Sequence, residues 1–269
     1  MNKDIVIVRG GGDIASGTIN KLHKCGFYVL VLEVQRPTAI RRKVSYGEAV
    51  YEGQITLEGV TAVLSNTLEA IEEAWKNGNI PVVIDQKAEW IEKIKPLAVI
   101  DGILAKKNVG MTIDKAPITV ALGPGFEAGK DVHVVIETMR GHALGKVIYT
   151  GCAIENTGIP GEIKGFSRER VIHSPAEGKI NIIKDIAEVV SKDEVIATVG
   201  DINIRATMDG VLRGIIRDGF NVWKGLKIAD IDPRLSELDN CFTISDKARC
   251  IAGGVIEAIL SLKNKALRD

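Results

Sequence analysis

Gly10, Gly12 and Ala15 stand at the spacing Gly-x-Gly-x-x-Ala, directly after the apolar run Asp4-Ile5-Val6-Ile7-Val8 and at the head of a helical stretch. In such a pattern the first glycine turns the chain tightly and the second lets a pyrophosphate approach bare backbone. The small third residue allows close packing of helix on strand. Gly11 completes the turn. Glu33 ends a second apolar run, Tyr28 to Leu32, and lies 21 residues beyond Gly12, where a carboxylate can accept hydrogen bonds from a ribose. The chemistry of this spacing is dinucleotide binding, with NAD(P) as the simplest ligand. Asp13 follows at the helix start, where its charge suits the helix dipole but repels a phosphate at the same spot. Either Asp13 turns away as a cap, or the ligand is not a simple pyrophosphate. The structural alternative is a tight strand-to-helix turn that binds nothing.

A second group of chemically able side chains lies in Asp131-Val-His133-Val-Val135-Ile-Glu137-Thr138, with Arg140 and His142 just beyond. In a strand, His133, Val135 and Glu137 share one face. His133, Glu137, Arg140 and His142 then form a candidate proton-transfer or anion site. The structural alternative makes His133 a satisfied core imidazole and Glu137 the ion-pair partner of Arg140. No cluster with metal-ligand spacing is present, so no metal site is expected.

The elements that carry these residues follow from hydrophobic period. Apolar strands are predicted at 4–8, 28–32, 61–65, 80–84, 97–101 and 118–122, with helical stretches between most of them. Asn66-Thr67 is placed to cap a helix from Leu68 to Lys76. The alternation predicts an α/β, Rossmann-like, mostly parallel sheet covered on both faces. Ligands of such sheets bind beyond the carboxyl ends of the strands. Gly10 to Gly12, Glu33, Asp85 and Asp101 lie at predicted strand ends, so they are expected to converge on one crevice.

Farther on, an internal repeat recurs at an offset of 32 residues: Ile180 matches Leu212, Val190 matches Val222, and Ile196-Ala197 matches Ile228-Ala229. Duplicated short β segments suggest two half-units packed face to face. The pattern looks like a small all-β barrel-sandwich hybrid of the biotinyl or lipoyl type. The junction Val199-Gly200-Asp201-Ile202-Asn203 has no lysine for covalent attachment, so docking or structure is its expected role. A C-terminal helix is predicted from Asp246 to Lys263 with Ser245 as its cap, and Gly253-Gly254 within it implies a close packing contact. The expected domains are 1–165, nucleotide-binding with a glycine-rich extension; 166–235, barrel-sandwich-like; and 236–269, the helix packing back on the core.

Composition narrows the function classes. The chain has 269 residues, 45% hydrophobic, with 35 basic and 35 acidic side chains. This balance gives no electrostatic reason to expect nucleic acid or a membrane surface as partner. No apolar run approaches a membrane span and the N-terminus reads as a strand, so a soluble cytoplasmic protein is expected. Whether it forms a homo-oligomer is left open. Cys25, Cys152, Cys241 and Cys250 read as reduced thiols. Cys152 is either a thiolate relay or a small buried apolar residue.

Several long segments resemble the YqeB family. They are Val8-Arg-Gly10-Gly-Gly-Asp13-Ile-Ala-Ser-Gly17, Glu33-Val-Gln-Arg-Pro37-Thr-Ala-Ile-Arg-Arg42, Ala49-Val-Tyr-Glu-Gly53, Gly123-Pro-Gly-Phe126, Asp131 to Thr138, Asn156-Thr-Gly-Ile-Pro-Gly161 and Ser245-Asp-Lys-Ala-Arg-Cys-Ile-Ala-Gly-Gly254. The resemblance covers nearly the full length. It implies a maturation factor for a selenium-dependent molybdenum hydroxylase, with an N-terminal half similar to xanthine dehydrogenase accessory factors. On this reading Gly10, Gly12 and Glu33 hold NAD(P) or the nucleotide end of a molybdopterin dinucleotide. Arg36, Arg41 and Arg42 pair with phosphates through the guanidinium fork. His133, Glu137, Arg140 and His142 supply acid, base or anion contacts, the small β domain docks the client hydroxylase, and the implied job is to help insert a labile selenium or sulfur ligand or to handle the molybdopterin cofactor. The alternative function is an NAD(P)-dependent oxidoreductase with His133 or His142 as the acid.

Overall fold

The computed structural model describes residues 4–158 and 161–266; Ile159 and Pro160 of the Asn156 to Gly161 motif lie outside the described residues. The chain separates into two compact units, one of Met1–Pro37, Ser45–Asn156 and Ile244–Asp269, the other of Thr38–Val44 and Thr157–Thr243. Sequence reading set the boundaries at 165/166 and 235/236.

The first unit runs β1 (Ile5–Arg9), α1 (Asp13–Lys24), β2 (Tyr28–Glu33), α2 (Ala49–Glu52), β3 (Gln54–Leu57), β4 (Val60–Leu64), α3 (Leu68–Lys76), β5 (Ile80–Ile84), α4 (Trp90–Ile94), β6 (Ala98–Asp101), β7 (Ile118–Leu122), β8 (Glu127–Ala128), β9 (Val134–Ile136), β10 (Val147–Ile148), β11 (Gly151–Cys152) and α5 (Asp246–Ala266). Among the described residues, nine strands form one sheet in the order β10-β9-β7-β6-β1-β2-β5-β4-β3, and β8 pairs β11 apart from it. Strand alternation puts Val6, Val8, Val29 and Val31 on one face, against Ile19 and Leu22 of α1 and Ile251, Val255 and Ile259 of α5. Ile7, Leu30, Leu32 and Val99 face the other way, onto Ile71 and Trp75 of α3 and Ile91 of α4. Burial on both faces is why the central strands read as continuous apolar runs.

Local signals fix the helices. Thr67 Oγ1 accepts the Ala70 N–H at 3.2 Å at the start of α3, and Ser245 Oγ accepts the Ala248 N–H at 3.2 Å at the start of α5. A Cβ on Gly17 would lie 2.7 Å from that of Ala248, so α1 and α5 touch at backbone distance. A Cβ on Gly254 would strike the carbonyl oxygen of Gly145, whereas Gly253 has open space. Gly254 is thus the residue of the pair that close packing requires.

This architecture corrects the expected fold class, a Rossmann-like, mostly parallel sheet followed by a barrel-sandwich hybrid. The large sheet is mixed. The β3/β4 and β9/β10 pairs at its two ends are antiparallel, and β2 is flanked by β5 rather than by the next strand in the chain. The cause at one end is a two-residue turn, Glu58-Gly59, with φ of +48° and +80°, the handedness that folds a strand back on its neighbour. Hydrophobic period locates strands but does not report their direction.

The second unit contains β12 (Val171–His173), β13 (Gly178–Ile182), β14 (Val189–Val190), β15 (Val195–Val199), β16 (Ile202–Arg205), β17 (Gly210–Ile215), β18 (Asn221–Val222) and β19 (Lys227–Asp232). Among the described residues these make two antiparallel four-stranded sheets, β12-β19-β17-β14 and β16-β15-β13-β18. The repeat is visible in the pairing. β13 takes β18 and β14 takes β17, so each half lends its short second strand to the other. The matched residues Ile180 and Leu212, Val190 and Val222, and Ile196 and Ile228 fill one core. The expected biotinyl- or lipoyl-like domain is therefore replaced by two open antiparallel sheets. Matching positions report which residues are buried, not how the sheets close. Thr38–Val44 joins this unit because Arg41 Nη2 donates to the carbonyls of Asn240 and Thr243 at 3.0 and 3.3 Å. Arg42 Nε donates to Ile215 O at 2.8 Å and Nη2 to Asp185 Oδ1 at 2.6 Å.

Candidate functional site

At the carboxyl end of β1 the three glycines have different surroundings. Gly10 has φ +88°, and a Cβ there would lie 3.1 Å from the Ile103 Cα; its N–H donates to Leu32 O at 2.8 Å. Gly11 is buried, its carbonyl accepts the Gly47 N–H at 2.8 Å, and a Cβ would lie 2.6 Å from Gly47 N. Gly12 is half-buried with φ −65° and ψ 175°, an ordinary extended conformation, and where its Cβ would stand there is open space. Ala15 is buried beneath the turn, against Gly102, where a Cβ would come within 2.9 Å of it. Close packing thus accounts for Gly10, Gly11 and Ala15, and Gly12 is the position an outside group can approach.

Glu33 reaches this turn from the end of β2. Its Oε2 accepts the Gly11 N–H at 2.7 Å and its Oε1 the Val34 N–H at 2.8 Å. Burial pushes its pKa up, assisted by Glu48 and opposed by the two amides. Both carboxylate oxygens hold backbone where sequence reading had a ribose. Asp101, at the end of β6, is 1% exposed and pairs with Arg9 Nη1 at 2.8 Å. Its Oδ1 accepts the Ile103 N–H at 3.3 Å, and Arg9 Nη2 donates to Val109 O at 3.0 Å. Burial raises the Asp101 pKa even against the Arg9 charge. The pair ties β1 to β6 under the glycine turn.

The residues around β9 separate. His133 stands at the amino end of the strand, where its Nδ1 accepts the Thr119 N–H at 3.1 Å and lies 2.8 Å from Thr119 Oγ1. With Nδ1 an acceptor, the neutral ring carries its proton on Nε2. Burial lowers its pKa and favours that neutral form. Glu137 lies at the other end, four residues along a strand that advances about 3.3 Å per residue. The two therefore stand at opposite edges of the sheet. Glu137 is 2% exposed; Oε1 accepts the Met139 N–H at 2.6 Å and Oε2 the Ile154 N–H at 2.8 Å. Arg140 is held instead by Asp246, with Nη1 and Nη2 at 2.7 and 2.9 Å from its two oxygens. His142 and Arg36 are exposed. Arg41 and Arg42 belong to the second unit.

Sequence reading passed over Lys247, the second residue of α5. It is half-buried, and its charged neighbours are Arg140, Asp13, Glu137 and Asp246. Burial first, then Arg140, push its pKa below the usual lysine range, while the three acids pull the other way. Its ammonium makes no hydrogen bond or ion pair among the described residues. The family motif Ser245-Asp-Lys marked the segment, but the partners are distant in sequence and only the fold assembles them. The carboxyl edge of the sheet thus presents Gly12, Asp13, Arg140, Asp246 and Lys247 together, with Glu137 buried behind.

Among the described residues no group of three or more His, Cys, Asp or Glu side chains is placed to hold a metal ion, and no helix is long and apolar enough to cross a membrane. The four cysteines are free, and Cys152 is exposed, opposite Glu127 in the β8/β11 pair.

No protein-family model matches the chain. Among solved structures it aligns with the apo form of the ectoine utilization protein EutE (DoeB) from Ruegeria pomeroyi at 12% identity and a TM-score of 0.26, over 85% of this chain and 86% of that one. An aspartoacylase family protein from Mesorhizobium loti gives 12% and 0.25 over 79% and 59%. A succinylglutamate desuccinylase from Silicibacter sp. TM1040 gives 12% and 0.26 over 85% and 84%. These likenesses are too slight to carry over a fold or an activity. In sequence, the chain is 47% identical over 264 residues to the uncharacterized protein YqeB of Escherichia coli (strain K12). The alignment covers 98% of this chain and 49% of that protein, so the chain spans about half the length of the curated relative it matches. Identity at this level along nearly the whole chain supports the YqeB family that the motifs suggested.

Proposed function

We propose that the chain binds an anionic, nucleotide-bearing cofactor at the carboxyl edge of its nine-stranded sheet and serves as an accessory factor for an enzyme that uses it. The family resemblance names the candidates: a molybdopterin dinucleotide or NAD(P) as ligand, and a selenium-dependent molybdenum hydroxylase as client. The observation that carries the reading is Gly12, whose α-carbon faces open space one residue before Asp13, itself among the charged neighbours of Lys247 with Arg140, Glu137 and Asp246. Bare backbone at such a point accepts a bulky polar ligand that any side chain would exclude.

Binding without turnover is favoured over a nicotinamide oxidoreductase. Of the acids named for that reaction, His133 sits at the far edge with its Nδ1 engaged by Thr119, and His142 is exposed and stands outside the charged group around Lys247. The test is native mass spectrometry of the purified protein with thermal-shift titration of NAD, NADP, FAD and a molybdopterin dinucleotide. Retention of, or stabilisation by, one of these without steady turnover supports the proposal. Failure of all four to bind, or sustained oxidation of a nicotinamide, overturns it.

A further inference from the structure

The acids around Lys247 are not equivalent. Glu137 has each oxygen on a backbone N–H, and Asp246 has both on Arg140. Asp13, on α1, is the third carboxylate among its charged neighbours. The stretch of α5 that carries Lys247 is fixed from two sides. The Gly17 to Ala248 contact sets the first turn of α5 against α1, and a Cβ on Gly145 would lie 2.8 Å from the Cys250 carbonyl oxygen, which sets the 137–145 loop against the same helix. A half-buried ammonium with no hydrogen bond or ion pair among the described residues is costly to keep charged. The acids nearby act on it only at longer range, and open space lies over the neighbouring Gly12.

We infer that Lys247 is the cation that meets an oxyanion of the ligand, a phosphate or carboxylate, beside Gly12. This rests on the anion-bearing ligand proposed above and adds the residue that contacts it. Without ligand, burial and Arg140 disfavour the charged amine while Asp13, Glu137 and Asp246 favour it. An incoming oxyanion adds a negative charge and favours the ammonium further. Asp13 competes with the ligand for this cation, which reconciles an acid at the head of α1 with an anion site there. Removing the carboxylate by Asp13→Asn tightens binding.

The test measures Lys247 directly. The full chain is acylated briefly with limiting reagent, and modification of Lys247 is read by peptide mass spectrometry alone and with inorganic pyrophosphate, NAD or a molybdopterin dinucleotide. Binding of each probe is followed by thermal shift. Protection of Lys247 by a bound probe is expected. Lys247→Arg should retain binding, and Lys247→Met should weaken it about ten- to a hundredfold, the range for loss of a charge-assisted hydrogen bond. Urea midpoints of both variants confirm that they fold. A probe that binds while Lys247 stays equally reactive, and binds Lys247→Met as it binds the wild type, overturns this inference and leaves the cofactor proposal standing. If no probe binds or protects, both fall.

Discussion

The carboxylate of Glu33 accepts the backbone N–H of Gly11 at 2.7 Å, so the acid at the end of one central strand holds the turn at the end of its neighbour. Spacing alone gave this pair a ligand-binding meaning. In the folded chain it is an internal brace, and the face left for a ligand is that of Gly12.

Gly11 and Gly12 should therefore respond oppositely to a methyl group. Gly11→Ala drives a Cβ to 2.6 Å from Gly47 N and 2.9 Å from Gly47 Cα, backbone that cannot yield, and should cost about 1–3 kcal/mol or prevent folding. Gly12→Ala meets nothing and should fold with stability within about 0.5 kcal/mol of wild type. Urea denaturation of the two variants checks the contrast.

Glu33 should leave a pH signature. Its folded pKa is raised by burial, so its contribution to stability is full below the unfolded value of about 4.3 and is lost as pH rises through the folded value. Glu33→Gln lacks this titration. The stability of the wild type minus that of the variant should fall as pH rises above about 4.3; a constant difference would show that Glu33 is not desolvated.

Asp101→Asn should be severe. It leaves the Arg9 guanidinium, whose side chain is 9% exposed, without its counter-charge, at an expected cost of about 3–5 kcal/mol. By contrast, Arg140→Ala breaks an ion pair whose side chains are 54% and 72% exposed, and its effect on stability should be under about 1 kcal/mol. Thermal unfolding of both separates the buried pair from the exposed one.

His133 provides a functional control. Because it lies at the opposite edge from Gly12 and Lys247, His133→Asn should leave ligand affinity unchanged within about twofold, or about 0.4 kcal/mol. A large loss would move the site to the other end of the sheet.

Much of the element layout was legible from sequence. α3 was read at the residues it occupies, and α5 was read with its start and its Ser245 cap, because caps and apolar spacing are local signals. The central strands were read within a residue or so for the same reason. Topology was not. The Gln54 to Leu57 strand and its Glu58-Gly59 turn went unread, and with them the mixed character of the sheet. The 32-residue repeat located the strands of the second unit but led to the wrong domain class. The site was less legible still. Gly10 was read as the tight turn and Gly12 as the open backbone, and the space around each agrees, but Glu33, read as a ribose acceptor, is engaged with the Gly11 and Val34 amides. His133 and Glu137 were joined by strand parity, which says nothing of which end of a strand a residue occupies. Lys247 had no local signal beyond its motif, since its environment is made by α1 and the loop after β9.

The most direct test of the central claim is isothermal titration of NAD, NADP, FAD and a molybdopterin dinucleotide into the wild type and into Gly12→Asp, with urea midpoints measured on both. The account predicts that at least one ligand binds the wild type and that Gly12→Asp, still folded, loses about tenfold or more of that affinity. A folded Gly12→Asp that binds as tightly as the wild type would contradict it.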